Sequence, residues 1–162
     1  MDDVIDLSEQ VGRALSARRQ VLATAESCTG GWVAQAVTSV AGSSQWFERG
    51  FVTYTNVAKQ EMLGVSEQTL REFGAVSEAT VREMAEGALR HSHADVALSI
   101  SGIAGPGGGS EAKPVGTVCF GWAGKGRPTR VKRLHLEGDR QRVRYQSVVV
   151  ALEGVLEFLD QG

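Results

Sequence analysis

The sequence has little of what marks a secreted or membrane protein. Only two cysteines occur among its 162 residues, Cys28 and Cys119, and they lie in different segments. A disulfide framework is therefore excluded, and a reducing compartment is the simpler interpretation. No stretch approaches the roughly 20 uninterrupted apolar residues that a membrane span needs, and the start, Met1-Asp2-Asp3, lacks the basic region and apolar run of a secretory signal. We expect a cytoplasmic protein with no membrane partner.

The sequence also lacks a large excess of charge of either sign. Its 17 Lys and Arg residues against 19 Asp and Glu residues give a formal net charge of -2, so no global basic field is present to bind nucleic acid. No linker or repeat divides residues 1–162, and this length suits a single domain. Glycine, in contrast, is abundant, with 20 residues where the usual share is about 7%. The glycines cluster, and we expect the chemistry at those clusters.

Hydrophobic patterning predicts alternating helices and strands. Val4, Leu7, Val11 and Leu15 recur at nearly helical spacing over residues 4–18. Strands rich in apolar and β-branched residues are predicted at 20–25, 50–55, 94–100, 116–123 and 129–136. Further helices are predicted at 32–39 and after the caps Asn56, Ser66, Ser77 and Asp139, the last being long and largely buried. This order predicts a single-domain, layered α/β/α sandwich with a mixed, mostly parallel sheet.

The first candidate site is the segment Glu26–Gly31, where a strand ends and a helix begins. Its sequence, Glu-Ser-Cys-Thr-Gly-Gly, holds two hydroxyls and a thiol. A helix N-terminus offers unpaired N–H groups and positive potential, so an oxyanion or phosphate is well placed near Thr29, Gly30 and Gly31. The alternative is a capped helix whose glycines allow close packing. The pattern is neither a G-x-S-x-G elbow nor a Walker P-loop.

Tyr54 and Lys59 form the second candidate site, at a strand end and in the first turns of the next helix. A phenol and an amine side by side can take a proton from a serine such as Ser27. A packed tyrosine and a solvated lysine are the more common outcome of this spacing. Cys28 is a rival nucleophile to Ser27, although no base for it is visible.

The third candidate site is the glycine-dense segment Ser101–Gly109, which follows a predicted strand. Successive glycines let backbone N–H groups approach a ligand and bind an anion. Ser101, Gly102, Gly105, Gly107 and Gly108 are the candidate substrate-binding residues here. The order does not match G-x-G-x-x-G, so a dinucleotide site is disfavoured. A flexible connector is the alternative.

Arginines at the start of the last helix form the fourth candidate site. Arg140 and Arg144 are four residues apart and share a face, with Arg142 between them. Cations at a helix N-terminus oppose its dipole by about 0.3–1 kcal/mol each, and a bound phosphate or carboxylate removes that penalty. Solvated surface arginines are the alternative. No histidine or cysteine spacing predicts a metal site.

Four segments, taken in order, resemble the CinA C-terminal domain family. They are Ala25–Gly31, Gly50–Tyr54 with Lys59, Gly74–Ser77 and Ser101–Gly108. The resemblance covers roughly residues 5–160 and is closest to the free-standing form of the family.

The resemblance implies an amidohydrolase that converts nicotinamide mononucleotide (NMN) to nicotinic acid mononucleotide and ammonia in the bacterial pyridine nucleotide cycle. It implies no metal or organic cofactor, with Ser27 as nucleophile and Tyr54 and Lys59 as the pair that activates it. Backbone N–H groups near Thr29–Gly31 would stabilise the oxyanion. Local physics, and not the resemblance, makes the loop 105–109 with Arg140 or Arg144 the candidate for binding the 5′-phosphate.

Other interpretations stay open at this point. A non-catalytic ligand-binding or adaptor module, linked to competence or DNA damage, needs the glycine loops but not Ser27, Tyr54 and Lys59 together. An amidase for another small amide is nearly indistinguishable by sequence. The long last helix and the three tryptophans permit a homo-oligomer, and a dimer is favoured.

Overall fold

The computed structural model describes residues 2–161. A five-stranded sheet and six α-helices make up the chain in this order: α1 (Asp2–Ala17), β1 (Leu22–Glu26), α2 (Trp32–Thr38), a 3-10 turn (Ser43–Gln45), β2 (Phe47–Val52), α3 (Asn56–Leu63), α4 (Glu67–Phe73), α5 (Glu78–Arg90), β3 (Val96–Gly102), β4 (Thr117–Gly124), β5 (Arg127–His135) and α6 (Arg140–Asp160).

The sheet has the strand order β2-β1-β3-β4-β5. Strand β1 pairs in parallel with β2 on one side and with β3 on the other. Strand β4 is antiparallel to both β3 and β5, so β4 alone runs against the other four. The expected mixed, mostly parallel sheet is confirmed.

Helices cover both faces of the sheet. On one face, α1, α2 and α6 pack on large aliphatic and aromatic side chains such as Leu22, Leu98, Ile100 and Phe120. On the other face, α3, α4 and α5 pack on small residues of the strands, among them Ala23 and the rest of a second cluster. The layered α/β/α sandwich is therefore present. No helix within residues 2–161 has both the length and the apolarity needed to cross a membrane.

Most of the predicted helix starts are correct, and one is wrong. Ser66, Ser77 and Asp139 each accept a hydrogen bond from the backbone N–H three residues later, as predicted for caps. Helix α3 begins at Asn56 instead of being capped by it, because the Thr55 hydroxyl accepts from the Ala58 N–H. Strand β2 runs over Phe47–Val52, so it starts and ends earlier than the predicted 50–55 and leaves Tyr54 in the loop that follows.

The topology brings three strand ends to one edge of the sheet. The chain leaves β1 through α2 on one face, and it leaves β2 through α3, α4 and α5 on the other face. The strand order therefore reverses at β1, which is where open α/β sheets place their ligand sites. Residues that follow Glu26, Val52 and Gly102 meet at this edge because β1, β2 and β3 are parallel.

Helix α5 approaches α3 closely at Gly87, and this contact yields a stability prediction. A Cβ at Gly87 would lie 1.9 Å from the carbonyl oxygen of Leu63, the last residue of α3. Gly87→Ala is expected to lower the free energy of unfolding by about 1–3 kcal/mol, because the clash is with backbone and outweighs the better helix propensity of alanine. Urea unfolding measures this change.

Gly107→Ala is the matched control, since a Cβ there would meet no atom of the described residues within 4 Å. It is expected to change the free energy of unfolding by less than about 0.5 kcal/mol. A Gly87→Ala variant as stable as the parent would contradict the close helix contact.

Candidate active site

A cleft of about 290 Å³ lies at the edge where β1, β2 and β3 end. Nine of its lining residues are candidates from the sequence: Ser27, Tyr54, Lys59, Ser101, Gly102, Gly105, Gly107, Gly108 and Arg140. Its other lining residues are Cys28, Asn56, Ala75, Val76, Ile103 and Ala104. The structure thus gathers residues from five separate segments into one concave site, as ligand sites require.

Ser27 and Lys59 are in direct contact inside this cleft. The distance between Ser27 Oγ and Lys59 Nζ is 3.0 Å. Ser27 directly follows β1, where its backbone N–H donates to the carbonyl of Ile100 at 3.0 Å. Lys59 lies in the first turn of α3, whose start is fixed by the Thr55 cap. A hydroxyl and an amine at this distance form the pair that a nucleophile and its base require.

Lys59 is buried, with a relative exposure of 1%. Its Nζ also lies 3.1 Å from the carbonyl oxygen of Thr53 and 3.3 Å from that of Tyr54. Within residues 2–161, no carboxylate forms a salt bridge with it. Burial lowers the pKa of Lys59 below its usual value, because an ammonium ion loses its hydration there.

The three oxygens around Lys59 Nζ suit both a neutral amine and an ammonium ion. A neutral amine has two N–H donors and one lone pair, so it can donate to the carbonyls of Thr53 and Tyr54 and accept from the Ser27 hydroxyl. After it takes the proton, the ammonium ion has three donors for the same three oxygens. Both protonation states are therefore satisfied without movement, as a general base requires.

The phenol of Tyr54 lies away from this pair, at the mouth of the cleft. Its side chain is exposed, and its hydroxyl accepts a hydrogen bond from Arg140 Nη2 at 3.1 Å. Tyr54 reaches the Ser27–Lys59 pair through its backbone carbonyl. The expected pairing of the Tyr54 phenol with Lys59 is therefore not what the structure shows.

Cys28 also lines the cleft, but its thiol is a poor nucleophile. It is buried, and burial raises the pKa of Cys28 to about 11. Because the thiolate is the reactive form, a thiol with this pKa stays protonated near neutral pH. The electrostatics favour Ser27 over Cys28.

The start of helix α2 is not the open anion site that the sequence suggested. The buried carboxylate of Glu26 accepts from the backbone N–H groups of Val33, at 2.9 Å, and Ala34, at 3.0 Å. The hydroxyl of Thr29 donates to the same carboxylate at 2.6 Å. The protein's own carboxylate therefore occupies the position that a bound phosphate would need.

Thr29, Gly30, Gly31 and Arg144 lie outside the cleft, around a second, open hollow of about 470 Å³. Both glycines have positive φ, 62° at Gly30 and 103° at Gly31, so the turn after Ser27 uses a conformation that other residues seldom adopt. Arg144 Nε donates to the carbonyl of Cys28 at 3.0 Å, and its Nη2 donates to that of Thr29 at 3.3 Å. Arg144 thus contacts two carbonyls of the turn that follows Ser27, and it does not line the cleft.

The loop 103–116, which forms one wall of the cleft, is tied down by cations. Arg140 Nη1 donates to the carbonyl of Gly105 at 2.7 Å. Arg133 from β5 donates to the carbonyl of Ala112 at 2.7 Å, and Lys113 of the loop donates to that of Phe73 at 2.6 Å. These contacts connect the segment to α6, β5 and the end of α4. Arg142, between the two other arginines, is exposed to solvent.

Sequence reasoning missed two parts of this site. It gave no role to the carboxylate of Glu26, although a glutamate at the end of a buried strand needs a partner. It also could not identify the carbonyls of Thr53 and Tyr54 as acceptors for Lys59, because backbone acceptors leave no signal in the side-chain pattern. Within the described residues, no three His, Cys, Asp or Glu side chains come together as a metal site would require.

Comparison with known proteins gives a family match over nearly the whole chain. The model of the CinA C-terminal domain matches residues 4–159. A solved structure of a competence-damaged protein (CinA) superfamily member from Klebsiella pneumoniae 700603 superposes with a TM-score of 0.94 at 41% identity, covering 98% of this chain and 99% of that one.

Two curated relatives carry the name nicotinamide-nucleotide amidohydrolase PncC. The protein of Escherichia coli K12 is 58% identical over 151 residues, which cover 93% of this chain and 92% of the relative. The protein of Pseudomonas putida is 47% identical over 157 residues, which cover 97% and 98%.

The lowered pKa of Lys59 predicts a pH-dependent stability difference. Between its folded pKa and its higher unfolded pKa, the unfolded chain binds more protons, so the parent protein becomes more stable as pH rises through that interval. Relative to Lys59→Met, the parent is expected to gain stability from neutral pH toward about pH 10, by about 1.4 kcal/mol for each unit that the pKa is lowered. Denaturant unfolding at a series of pH values measures the difference.

Lys132→Met provides the control, because Lys132 is exposed on β5. Its difference from the parent is expected to stay constant over the same pH range. A constant difference for Lys59→Met as well would mean that the pKa of Lys59 is not lowered by folding.

Proposed function

This chain belongs to the CinA C-terminal domain family, and we propose that it hydrolyses the carboxamide of NMN with Ser27 as nucleophile and Lys59 as base. It is an amidase, as are the nicotinamide-nucleotide amidohydrolases to which it is 58% and 47% identical. The observation that carries the mechanism is the 3.0 Å contact between Ser27 Oγ and a buried Lys59 amine. The relatives favour this enzyme over the non-catalytic adaptor.

The reaction begins with attack of Ser27 Oγ on the carboxamide carbon, while Lys59 takes the hydroxyl proton. Lys59 then gives this proton to the departing nitrogen, the C–N bond breaks, and ammonia leaves a nicotinoyl ester on Ser27. Water attacks the ester, Lys59 accepts a proton from the water, and that proton returns to Ser27 Oγ as nicotinic acid mononucleotide leaves. No proton is gained or lost by the enzyme over the cycle.

The backbone N–H groups of Cys28 and Thr29 are the proposed donors to the tetrahedral oxyanion. Within residues 2–161, neither donates a hydrogen bond to another protein group, whereas the N–H of Gly30 donates to the carbonyl of Ser27 at 3.0 Å. A backbone donor next to the nucleophile is close to the atom on which the negative charge develops, and such a donor contributes about 2.7–4 kcal/mol. Tyr54 takes part through its carbonyl, which helps to orient Lys59.

Arg140 and the loop 105–109 are proposed to bind the 5′-phosphate. Arg140 uses two N–H groups on Gly105 and Tyr54, and a guanidinium has five. Arg140 lines the cleft together with Ser101, Gly102, Gly107 and Gly108. An arginine suits this task because its fork of donors matches the geometry of a phosphate.

We further propose that the enzyme works in the bacterial cytoplasm and as a homodimer. Both cysteines are free thiols, which fits a reducing compartment. Val52, Tyr54 and Val57 are 46%, 58% and 59% exposed, and a second copy would remove such apolar surface from water.

Substitution of the two neighbouring nucleophile candidates tests the mechanism. Ser27→Ala is expected to lower kcat by at least about 10³-fold while NMN still binds, because the covalent route is lost. Cys28→Ala is expected to keep kcat within a few fold, since its thiol stays protonated. Release of ammonia and nicotinic acid mononucleotide by metal-stripped protein measures turnover. Turnover that survives Ser27→Ala but is lost in Cys28→Ala would reverse the assignment.

Arg140→Ala tests the phosphate site. Its KM for NMN is expected to rise about tenfold or more, because hydrogen bonds to charged groups contribute about 1.5–3 kcal/mol. Its KM for nicotinamide riboside, which has no phosphate, is expected to change little. Arg142→Ala, on the same helix but outside the cleft, is the control. An equal rise in KM for both substrates would remove Arg140 from the phosphate site.

A further inference from the structure

Thr29 is bonded on two sides, by a carboxylate and by a guanidinium. Its hydroxyl donates to Glu26 Oε1 at 2.6 Å, and its carbonyl accepts from Arg144 Nη2 at 3.3 Å. Arg144 Nε also donates to the carbonyl of Cys28 at 3.0 Å. The Glu26 carboxylate at the end of β1 and the Arg144 guanidinium from the first turns of α6 thus both bond to the turn that follows Ser27.

This turn needs support from outside because it is irregular. It contains two glycines with positive φ, and its internal backbone hydrogen bonds are the two from the N–H groups of Gly30 and Trp32. A short segment of this kind is held in one conformation chiefly by bonds to its surroundings. Its conformation decides where Ser27 Oγ and the N–H groups of Cys28 and Thr29 point.

We propose that Glu26 and Arg144 are positioning residues that fix the nucleophile turn through Thr29 and Cys28. The inference rests on the proposed function, in which Ser27 is the nucleophile. Neither residue lines the cleft, so neither touches the substrate. The geometry gives Arg144 this task in place of phosphate binding: it does not line the cleft, it donates to two carbonyls of the turn, and its guanidinium lies 5.6 Å from the ring centroid of Trp32.

The expected effect of loosening the turn is on kcat. A misplacement of about 1 Å can reduce the rate about 10²-fold, whereas substrate binding in the cleft does not use these contacts. Loss of either support should therefore lower kcat about 10- to 100-fold and leave KM nearly unchanged for NMN and for nicotinamide riboside. Because both supports act on one turn, their effects should not multiply in the double variant.

Thr29→Val and Arg144→Met remove one support each at nearly constant volume. Thr29→Val breaks the contact with Glu26 but leaves the carboxylate bonds to Val33 and Ala34, which cap α2. Thr29→Ser keeps the hydroxyl and is expected to restore kcat, which a packing defect alone would not allow. Arg142→Met, on the exposed side of the same helix, controls for loss of charge.

Steady-state kinetics with both substrates are combined with a measurement that does not depend on NMN. Covalent labelling of Ser27 by a fluorophosphonate, followed by intact mass, reports the reactivity of the serine itself. Labelling is expected to slow in Thr29→Val and Arg144→Met and to recover in Thr29→Ser.

The outcomes test the positioning role of Glu26 and Arg144 separately from the proposed substrate. A rise in KM for NMN alone in Arg144→Met would make Arg144 a phosphate ligand and overturn the positioning role. Unchanged kcat and labelling in both variants would overturn it as well. A parent protein that is labelled at Ser27 but does not turn over NMN would refute the proposed substrate, and the labelling rates of the variants would still decide the positioning role.

Discussion

The chemistry of this fold depends on one buried amine that has no carboxylate beside it among residues 2–161. Lys59 is removed from water, and its neighbours are two backbone carbonyls and the hydroxyl of Ser27. Carbonyl dipoles orient an ammonium ion but do not repay its lost hydration as a full negative charge would. The proton is consequently held loosely, and the amine can accept one from a serine. A salt bridge to Lys59 would stabilise the ammonium ion and remove this property.

Several features of the fold serve to keep that amine in place. The Thr55 cap fixes the start of α3, so Lys59 projects toward the edge of the sheet at which β1 ends. Gly64 ends the helix in a left-handed conformation, and Gly87 lets α5 pack directly against the backbone of Leu63. The small strand residues under α5 allow the same close approach: the Ser99 hydroxyl donates to the carbonyl of Val81 at 2.6 Å. These contacts place the helix that carries Lys59 directly against its neighbours.

The sequence predicted the fold well because periodicity and caps are local signals. Ser66, Ser77 and Asp139 were identifiable as caps, and the alternation of strands and helices is enough to predict a layered sandwich. The sequence also pointed to Ser27 and Lys59, but the expected contact of the Tyr54 phenol with Lys59 and the expected open helix N-terminus are absent from residues 2–161. Both errors concern side-chain direction, which depends on tertiary contacts: Arg140 holds the phenol, and Glu26 fills the helix start.

Glu26 and Ser27 are adjacent in sequence, yet their side chains point to opposite faces of the sheet. Successive side chains of a strand alternate between faces, and Glu26, the last residue of β1, reaches the backbone of α2. Lys59 comes from α3, which packs on the other face. The strand itself therefore separates the carboxylate from the amine. One residue of register shift would reverse the directions of the two side chains and bring a negative charge toward Lys59, raising its pKa. Side chains alternate between the two faces along this buried strand. One short motif can therefore hold both the Glu26 carboxylate, which fixes the turn, and Ser27, whose base Lys59 must be uncharged.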